Sequence, residues 1–341
     1  MAQNINQIME AIMLVVICTV SVLGNATLFV IFLKKRALRT ITNGFLLNLS
    51  FADLLVSVLN MPVTMVTILE QRWIFGESAC KFLGFTTMLS FVSSVMSLAM
   101  IAINRYYYVV HWKTYRSIFT PRKSMLFGAV VWLISLLISL PPLFGWAEYR
   151  YIPGKSYCFV FWPSSVYYMY FMLSLCFFGP LIAMCLCYYH ILKFTREAKR
   201  RVMEHPSQPQ PETQRGKGQH RQMFRMTPEE VKLTNTLLIV VACFLTCWTP
   251  FAVTMFMDIY YLHPLPRLID ISTLLLGYAN SMCNPVIYGI RTRVFRQELI
   301  RDLRACFRIC ASCRGTSPIE ERIEVARSCH SNTDRTDMRD E

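Results

Sequence analysis

Seven apolar runs, each long enough to cross the hydrocarbon core of a membrane, constrain the fold of this chain more than any other feature. A membrane helix needs about 20 mostly apolar residues to span about 30 Å of hydrocarbon. The 341-residue chain is 54% hydrophobic and 16% charged, whereas soluble domains carry about 25% charged residues. The sequence therefore predicts an all-α membrane protein with transmembrane helices near 9–33, 43–68, 79–110, 123–144, 165–193, 232–261 and 267–290.

The positions of Lys and Arg orient these runs. Residues 1–8 contain neither, whereas the first connection and the connection between the fifth and sixth runs are rich in both. Because basic loops stay on the cytoplasmic side, we expect a plasma-membrane protein with an extracellular N-terminus and a cytoplasmic C-terminus. The predicted organisation is an extracellular segment at 1–8, a domain of seven transmembrane spans at 9–290, an amphipathic membrane-surface helix at 291–306 and a cytoplasmic tail at 307–341.

The net charge of +14 then lies mostly on the inner face. Such charge suits anionic membrane lipid and a protein partner, and no nucleic-acid-binding fold is predicted. The sequence shows no hydrolytic triad pattern, no phosphate-binding loop and no His/Cys cluster with metal-ligand spacing. An enzyme is therefore not expected.

Two of the thirteen cysteines fall on the predicted outer side. Cys80 lies at the outer end of the third run and Cys158 in the outer loop before the fifth, where an oxidising environment lets them close a disulfide. Cysteines within the apolar runs behave as small hydrophobes. Three more follow the amphipathic helix and are candidates for palmitoylation, with free thiols as the alternative: Cys306, Cys310 and Cys313.

The last apolar run contains a proline, in the pentapeptide Asn284-Pro285-Val286-Ile287-Tyr288. Proline removes a backbone hydrogen bond, and lipid offers no replacement partner for the carbonyl that is left. That carbonyl needs a side chain or a water molecule inside a helix bundle. We therefore expect this segment to face protein and water rather than lipid.

Short motifs in several runs carry a family resemblance. They are Asn104-Arg105-Tyr106, Cys247-Trp248-Thr249-Pro250 and the Asn284–Tyr288 pentapeptide, together with Gly24-Asn25, Leu49-Ser50-Phe51-Ala52-Asp53, Trp132, Pro180 and Tyr188. Over residues 10–305 the chain resembles a rhodopsin-like, class A G-protein-coupled receptor. Within that family it is similar to opsins, to melatonin receptors and to related orphan receptors alike.

The resemblance implies a seven-helix bundle with a short eighth helix, and signalling through a heterotrimeric G protein. It also implies that arrestin and a receptor kinase act on the cytoplasmic tail. The positions carried over as the ligand pocket are mostly apolar, which favours a small, hydrophobic, uncharged ligand with Thr87 and Tyr278 as hydrogen-bond partners. They are Thr87, Met88, Phe91, Met172, Cys176, Trp248, Phe251, Ala252, Met255, Leu274 and Tyr278.

Two of these positions depart from better-known members of the family. Opsins hold retinal on a lysine where this chain has Tyr278, and amine receptors place an aspartate where it has Thr87. A Schiff base needs an amine, so no covalent retinal is expected. A buried ammonium needs a counter-ion, so an aminergic ligand is not expected either.

Asp53 lies in the middle of the second run, where a lone carboxylate costs several kcal/mol. The resemblance implies that other polar residues converge on it and supply the hard oxygen ligands that suit a sodium ion. The alternative is a protonated Asp53 in a hydrogen-bonded water network. The candidate sodium ligands are Asp53, Ser94, Asn280, Ser281 and Asn284.

Arg105 ends the third run near the cytoplasm. The resemblance implies that it is paired at rest and engages the G protein when the sixth run swings outward. Asn104 stands where the family usually has aspartate, so we expect Glu230, at the cytoplasmic end of the sixth run, to be the acidic partner. Snorkelling to the headgroups is the alternative interpretation of Arg105.

Phe244 and Trp248 lie four residues apart beside Pro250. On spacing alone such a pair is more often ordinary core. The resemblance implies instead that repacking of these rings couples the ligand pocket to helix motion. It assigns further residues to the same switch, namely Tyr106, Tyr188, Asn284, Pro285 and Tyr288.

Two other functions remain open at this point. A transporter would show related halves with interrupted helices in matched positions, and the sequence contains no such repeat. A receptor without a diffusible agonist would set a basal signal by itself. Asn104 favours this second function, because it weakens the restraint next to Arg105.

Overall fold

The computed structural model describes residues 2–35, 38–204, 228–261, 265–292, 295–298, 300–301 and 304. The chain divides into two compact units, Met1–Arg293 and Val294–Glu341. Within the first unit every predicted apolar run is helical. The helices are α1 (Ala2–Lys34), α2 (Ile41–Glu70), α3 (Glu77–Val109), α4 (Pro121–Ser139), α5 (Val166–Ala198, continuing to Glu204), α6 (Pro228–Tyr260) and α7 (Arg267–Arg291).

Helix α1 begins at Ala2 and so extends through most of the segment 1–8. The extracellular position of that segment stays a prediction. An ion pair supports these early turns, because Glu10 lies 2.8 Å from the guanidinium of Arg267 at the start of α7. The Glu10 side chain is buried, so this ion pair holds the first turns of α1 against the bundle.

Six of the described helices are long and apolar enough to cross a membrane by length and composition. The seventh predicted span, α7, is less apolar because it carries Asp270, Asn280, Asn284 and Pro285 among its buried residues. It packs against α1 and α6. Its membrane-spanning character therefore follows from its place in the bundle and not from its hydropathy.

Wide π-helical turns interrupt α2 at Val56–Asn60 and α5 at Leu173–Phe178. Each such turn takes up one extra residue, and such turns are frequent at functional sites. A proline follows each of them, Pro62 and Pro180. The missing N–H of proline removes a helical hydrogen bond, which explains why the regular pattern breaks at these places.

The contact between α1 and α7 satisfies the requirement that Pro285 creates. Proline at 285 cannot bond the carbonyl of Ser281, one turn earlier. Asn25 of α1 donates its side-chain N–H to this carbonyl at 2.9 Å. The helices are close enough because Gly24 has no side chain: a Cβ there would lie 2.6 Å from the Pro285 ring. The predicted need for a partner inside the bundle is confirmed.

An outer hairpin joins α4 to α5. Strands β1 (Tyr149–Ile152) and β2 (Tyr157–Val160) pair antiparallel, and Tyr151 lies opposite Cys158. Cys158 is bonded to Cys80 at the start of α3, so the predicted disulfide is confirmed. All four residues of β2 are buried. The disulfide thus fixes an apolar strand over the outer end of the bundle.

The second unit is described only in part. Residues 295–298, 300, 301 and 304 are helical, and Arg301 forms an ion pair with Glu298. The amphipathic helix at 291–306 therefore stays a prediction over its full length. Cys306, Cys310 and Cys313 lie outside the described residues, and so does the predicted tail at 307–341.

We predict that Cys158→Ser lowers the free energy of unfolding by about 2–5 kcal/mol, because the disulfide closes a long loop. Thermal unfolding of the purified protein and the amount at the cell surface should both fall. Cys185→Ser, which removes an exposed free thiol of α5, is the matched control and should change neither. Alkylation of both Cys80 and Cys158 in unreduced membranes would contradict the bond.

Candidate functional site

An apolar cavity lies between α3, α5, α6 and strand β2. Its volume of about 30 Å³ is far below the roughly 300–1,000 Å³ of ordinary ligand pockets. Side chains therefore fill most of the space in which a ligand was expected. Of the predicted ligand-pocket residues, those that line this cavity are Met88, Phe91, Met172, Trp248, Phe251, Ala252 and Met255.

The outer hairpin supplies part of the cavity wall. Phe159 of β2 and Trp162 just after it line the cavity, together with Leu173 and Phe177 from the π-helical turn of α5. Sequence reasoning missed these four residues. The disulfide at Cys158 was the available signal for Phe159, because it holds the neighbouring residue over the end of α3.

Strand β2 separates the apolar cavity from a second, polar one. Thr87 and Tyr278 line the polar cavity together with Tyr157 of β2. The Thr87 hydroxyl donates to Asn60 at 2.9 Å, and the Tyr278 and Thr64 hydroxyls lie 3.1 Å apart. The two hydroxyls predicted to bind a ligand are thus already paired within the bundle.

The remaining two predicted pocket residues, Cys176 and Leu274, are buried in the core and line neither of these cavities.

Lys155, in the turn of the outer hairpin, is inserted into the bundle and is 2% exposed. Its ammonium lies 2.8 Å from Asp258 of α6 and 3.1 Å from Asp270 of α7. It also lies 5.8 Å from the centre of the Phe251 ring. Desolvating an ammonium costs several kcal/mol, which the two carboxylates offset. The loop therefore ties the outer ends of α6 and α7 together.

The turn is shaped for this insertion. Gly154 lies so close to the Asp270 carboxylate that a Cβ there would force this carboxylate to move. Ser156 adopts a left-handed conformation with φ of 52°, and its hydroxyl accepts from Arg267 at 2.9 Å. Burial, then the hydroxyl of Tyr278 and the carboxylates of Asp258 and Asp270, raises the pKa of Tyr157 well above its usual value.

Sequence reasoning missed Lys155. Two aspartates near the outer ends of apolar helices were the available signal, since buried carboxylates need a cation.

Aromatic rings connect the hairpin to the part of α6 that contains Pro250. The rings of Phe159 and Phe251 have centres 5.8 Å apart, and those of Phe251 and Trp248 are 5.7 Å apart. Trp248 continues to Phe91 at 4.5 Å and to Phe244 at 6.3 Å. Pro250 lies inside α6 between these rings in sequence. Contacts of this kind are worth about 0.5–1.5 kcal/mol each beyond burial.

A polar centre surrounds Asp53 in the middle of the bundle. Asn284 donates to its carboxylate at 2.8 Å. Ser281 and Ser94 are also near enough to that carboxylate to stabilise its charged form. Asn280 is buried on the same helix as Asn284, but among the residues that the structure describes it is not a partner of Asp53. Four of the five predicted sodium ligands are thus brought together.

At the end of the bundle opposite the hairpin, Arg105 is buried and its pairing differs from the expectation. The described residues show no ion pair between Arg105 and Glu230. Instead, Glu230 accepts a hydrogen bond from Tyr108, and the guanidinium lies 5.4 Å from the centre of the Tyr108 ring. Tyr108 follows Arg105 by three residues, so one helical turn places its ring between the two charges.

Asn104 bonds away from Arg105. Its oxygen accepts from Thr42 of α2 at 2.8 Å, and its amide donates to Tyr115 at 3.2 Å. Tyr115 belongs to the short helix Trp112–Ile118 that follows α3. An asparagine is suited to this position because it can donate and accept at the same time.

The other predicted switch residues surround the same region. The hydroxyls of Tyr188 and Tyr288 are buried, and within the described part of the chain neither has a protein hydrogen-bond partner. Tyr106 points elsewhere, because its hydroxyl lies 2.9 Å from the ring nitrogen of His111. Tyr188 lies close to Arg105 without being hydrogen-bonded to it within the described part of the chain.

Comparison with known proteins agrees with this architecture. The sequence model of the family described as 7 transmembrane receptor (rhodopsin family) matches residues 24–288. The chain is 28% identical to G-protein coupled receptor 161 of Danio rerio, over 86% of this chain and 58% of that protein. It is 29% identical to melanopsin of Felis catus, over 83% of this chain and 58% of that protein. The chain therefore spans less than two thirds of these two relatives.

Two further similarities cover more of the compared protein. Melatonin receptor type 1B of Rattus norvegicus is 28% identical, over 93% of this chain and 85% of that protein. The crystal structure of squid rhodopsin has the same fold, with a TM-score of 0.75 at 22% identity over 94% of this chain and 90% of that one. These matches confirm the resemblance drawn from the motifs. The chain belongs to the rhodopsin family of seven-transmembrane receptors, a family of receptors and not of enzymes.

Proposed function

We propose that this receptor signals at a basal level that its own outer hairpin sets. The observation that carries the proposal is the buried Lys155, which joins the hairpin to Asp258 of α6 and Asp270 of α7. Phe159 supports it, because its ring lies in the wall of the ligand-side cavity and against Phe251. The hairpin then acts where an agonist would act in a receptor with an open pocket.

The direction of the effect follows from the kink in α6. A helix with a proline inside it can pivot at that residue, which is Pro250 here. Lys155 pulls the outer end of α6 inward, so the cytoplasmic end of the same helix moves outward. That outward movement opens the inner face of the bundle to a G protein. The hairpin therefore favours the active arrangement in a two-state equilibrium.

A second candidate is a receptor for a small, hydrophobic, uncharged molecule. The apolar lining of the cavity favours it, from Met88 and Phe91 to Met255. Such a ligand would have to displace Phe159 or Trp162, since the cavity is small. Retinal bound as a Schiff base is not proposed, because Tyr278 offers a hydroxyl and no amine. The similarity to melatonin receptors supports keeping a diffusible ligand as the alternative.

The cellular arrangement is part of the same proposal. We infer a plasma-membrane receptor with its N-terminus outside and its C-terminus inside. The hairpin disulfide is then on the oxidising side, and the basic connection before α6 lies in the cytoplasm beside anionic lipid. Arrestin and a receptor kinase would act on the cytoplasmic side, as they do in this family.

We also propose that the Asp53 centre binds sodium and opposes activation. The support is the convergence of Asn284, Ser281 and Ser94 on one buried carboxylate between α2, α3 and α7. Sodium prefers hard oxygen ligands. An ion held there would keep these helices together. A protonated Asp53 in a hydrogen-bonded network is the alternative.

On the cytoplasmic side, we propose that Tyr108 connects Arg105 to Glu230 and so restrains α6. Tyr108 donates to the Glu230 carboxylate while its ring contacts the guanidinium. A charge-assisted hydrogen bond of this kind is worth about 1.5–3 kcal/mol. Loss of the bond would release the cytoplasmic end of α6. Activation would then free Arg105 to contact the G protein.

Lys155→Ala should lower basal G-protein turnover about tenfold, the effect of about 1.4 kcal/mol on the active arrangement. Removing the ammonium leaves Asp258 and Asp270 unpaired and lets their helices separate. The assay is nucleotide exchange by the G protein with purified receptor and no added ligand, normalised to the amount of receptor. Lys81→Ala is the control, because Lys81 is exposed and forms its ion pair with Glu77 on its own helix. Unchanged turnover in Lys155→Ala would reject the basal mechanism.

Sodium should reduce basal turnover in the wild type, and Asp53→Asn should abolish that dependence by removing the charge that holds the ion. Turnover measured against sodium concentration, with potassium keeping the ionic strength constant, gives the answer. Glu70→Gln, which removes an exposed carboxylate at the end of α2, the same helix as Asp53, is the matched control and should keep the sodium response. A full sodium response in Asp53→Asn would leave the hydrogen-bonded network as the correct interpretation.

Glu230→Ala and Tyr108→Phe should each raise basal turnover, by about fivefold or more for a loss of 1 kcal/mol or more. Arg105→Ala should abolish coupling, and Asn104→Asp should lower basal turnover by placing a carboxylate beside Arg105. Tyr107→Phe is the control for the loss of a hydroxyl. If Glu230→Ala and Tyr108→Phe both leave turnover unchanged, the restraint on α6 lies elsewhere.

A further inference from the structure

Three cysteines on two helices form a thiol cluster inside the bundle. Cys243 and Cys247 are one turn apart on α6, and Cys283 faces them from α7. Their sulfur atoms all lie within 4.8 Å of one another. All three are free thiols; Cys247 is buried and the other two are partly buried. Their spacing in the sequence gave no metal motif, because the third thiol comes from another helix.

The cluster lies between two parts of the candidate switch. Cys247 directly precedes Trp248, the centre of the ring contacts below the hairpin. Cys283 directly precedes Asn284, which bonds the Asp53 carboxylate. An ion held by the three sulfur atoms would therefore connect α6 and α7 next to both of their internal prolines.

The distances suit a small metal ion. Metal–thiolate bonds of about 2.3 Å in a trigonal arrangement place the sulfur atoms about 4 Å apart. The three thiols need to approach by less than about 1 Å to reach this geometry, which rotation about their side-chain bonds can supply. The other described free cysteines, Cys18, Cys176, Cys185 and Cys187, are not members of any such cluster.

The ligand set identifies the kind of ion. Soft thiolate ligands select Cu⁺ and Zn²⁺ among the available metals. Structural Zn²⁺ almost always has four protein ligands, and the described residues supply three here. The charge of the ion also favours Cu⁺, because an uncompensated charge is costly within the membrane. One thiolate neutralises Cu⁺, whereas Zn²⁺ needs two.

We propose that Cys243, Cys247 and Cys283 bind one Cu⁺ ion that links α6 to α7. On binding, at least one thiol loses its proton to solvent, its sulfur forms a bond to copper, and no electron is transferred. This copper site shares no ligand with the outer hairpin or with the Asp53 centre. Ordinary core packing, in which cysteine is a small hydrophobe, is the alternative.

The test uses the full-length receptor, purified in nanodiscs and loaded with Cu⁺ in competition with bicinchoninate. We expect one copper per receptor and an X-ray absorption spectrum with sulfur as the first-shell ligand. Cys243→Ser and Cys283→Ser should lose the copper, while Cys185→Ser should keep it. Cys283→Met, which retains a soft sulfur ligand, should bind more weakly than the wild type and more tightly than Cys283→Ser.

Several results would overturn the proposal. Copper bound with nitrogen or oxygen ligands, equal copper in Cys283→Ser and the wild type, or no copper at all would each do so. A Zn²⁺ ion held under the same competition while Cu⁺ is not held would overturn the choice of ion. A disulfide between two of the three cysteines in unreduced membranes would show that the three thiols do not form a metal site. Wild-type spectra do not depend on whether the serine variants fold.

This measurement needs no G protein, so its outcome is separate from that of the basal-signalling proposal. If that proposal also holds, Cu⁺ bound across the kinks should reduce basal turnover in the wild type and leave Cys283→Ser unaffected. A drop of equal size in both proteins would mean that copper acts at another place.

Discussion

The bond from the Asn25 side chain to the carbonyl of Ser281 is the contact on which the bundle depends. Pro285 makes that carbonyl available, and a carbonyl left unpaired in hydrocarbon would cost several kcal/mol. The proline can therefore be kept only where α1 passes α7 closely, which Gly24 permits. Once α7 is held there, its polar face meets Asp53 on one side and the thiols of α6 on the other. A single backbone requirement thus positions two of the sites described above, the Asp53 centre and the thiol cluster.

At the outer end of the bundle, the hairpin between α4 and α5 takes the place of a helix as the packing partner. Strand β2 is buried along its whole length, and the disulfide to Cys80 fixes its position. Two cavities then form on either side of the strand, one apolar and one polar. The hydroxyls of the polar side are paired among α2, α3 and α7, so this side stabilises the bundle.

Much of this could be predicted from the sequence, because it rests on local patterns. Six helices follow from length and hydropathy and the seventh from its proline motif, the disulfide follows from topology, and the Asp53 centre follows from motif positions on helices whose order is known. The burial of Lys155 could not be predicted in the same way. It depends on a loop conformation in which Gly154 and Ser156 have special roles, and on partners more than 100 residues away. The split of the expected pocket into two cavities has the same origin.

The place of Tyr108 between Arg105 and Glu230 was also missed, although helical spacing was enough to suggest it. Motif reasoning assigns one partner to each charge and does not consider an aromatic ring one turn along the same helix. The thiol cluster was missed because its members come from two helices. Side-chain geometry within a correctly predicted bundle is therefore the part that needed a structure.

The π-helical turn at Leu173–Phe178 also determines what α5 can present at its two ends. Met172 lines the outer cavity, and Tyr188 is buried near Arg105 at the other end of the membrane. In a regular helix these two side chains, 16 residues apart in the sequence, would point about 160° away from each other at about 100° per residue. One extra residue in the wide turn reduces the angle to about 60°. The two halves of α5 thus share one inward face, and deleting a single residue from that turn would rotate one of them toward lipid.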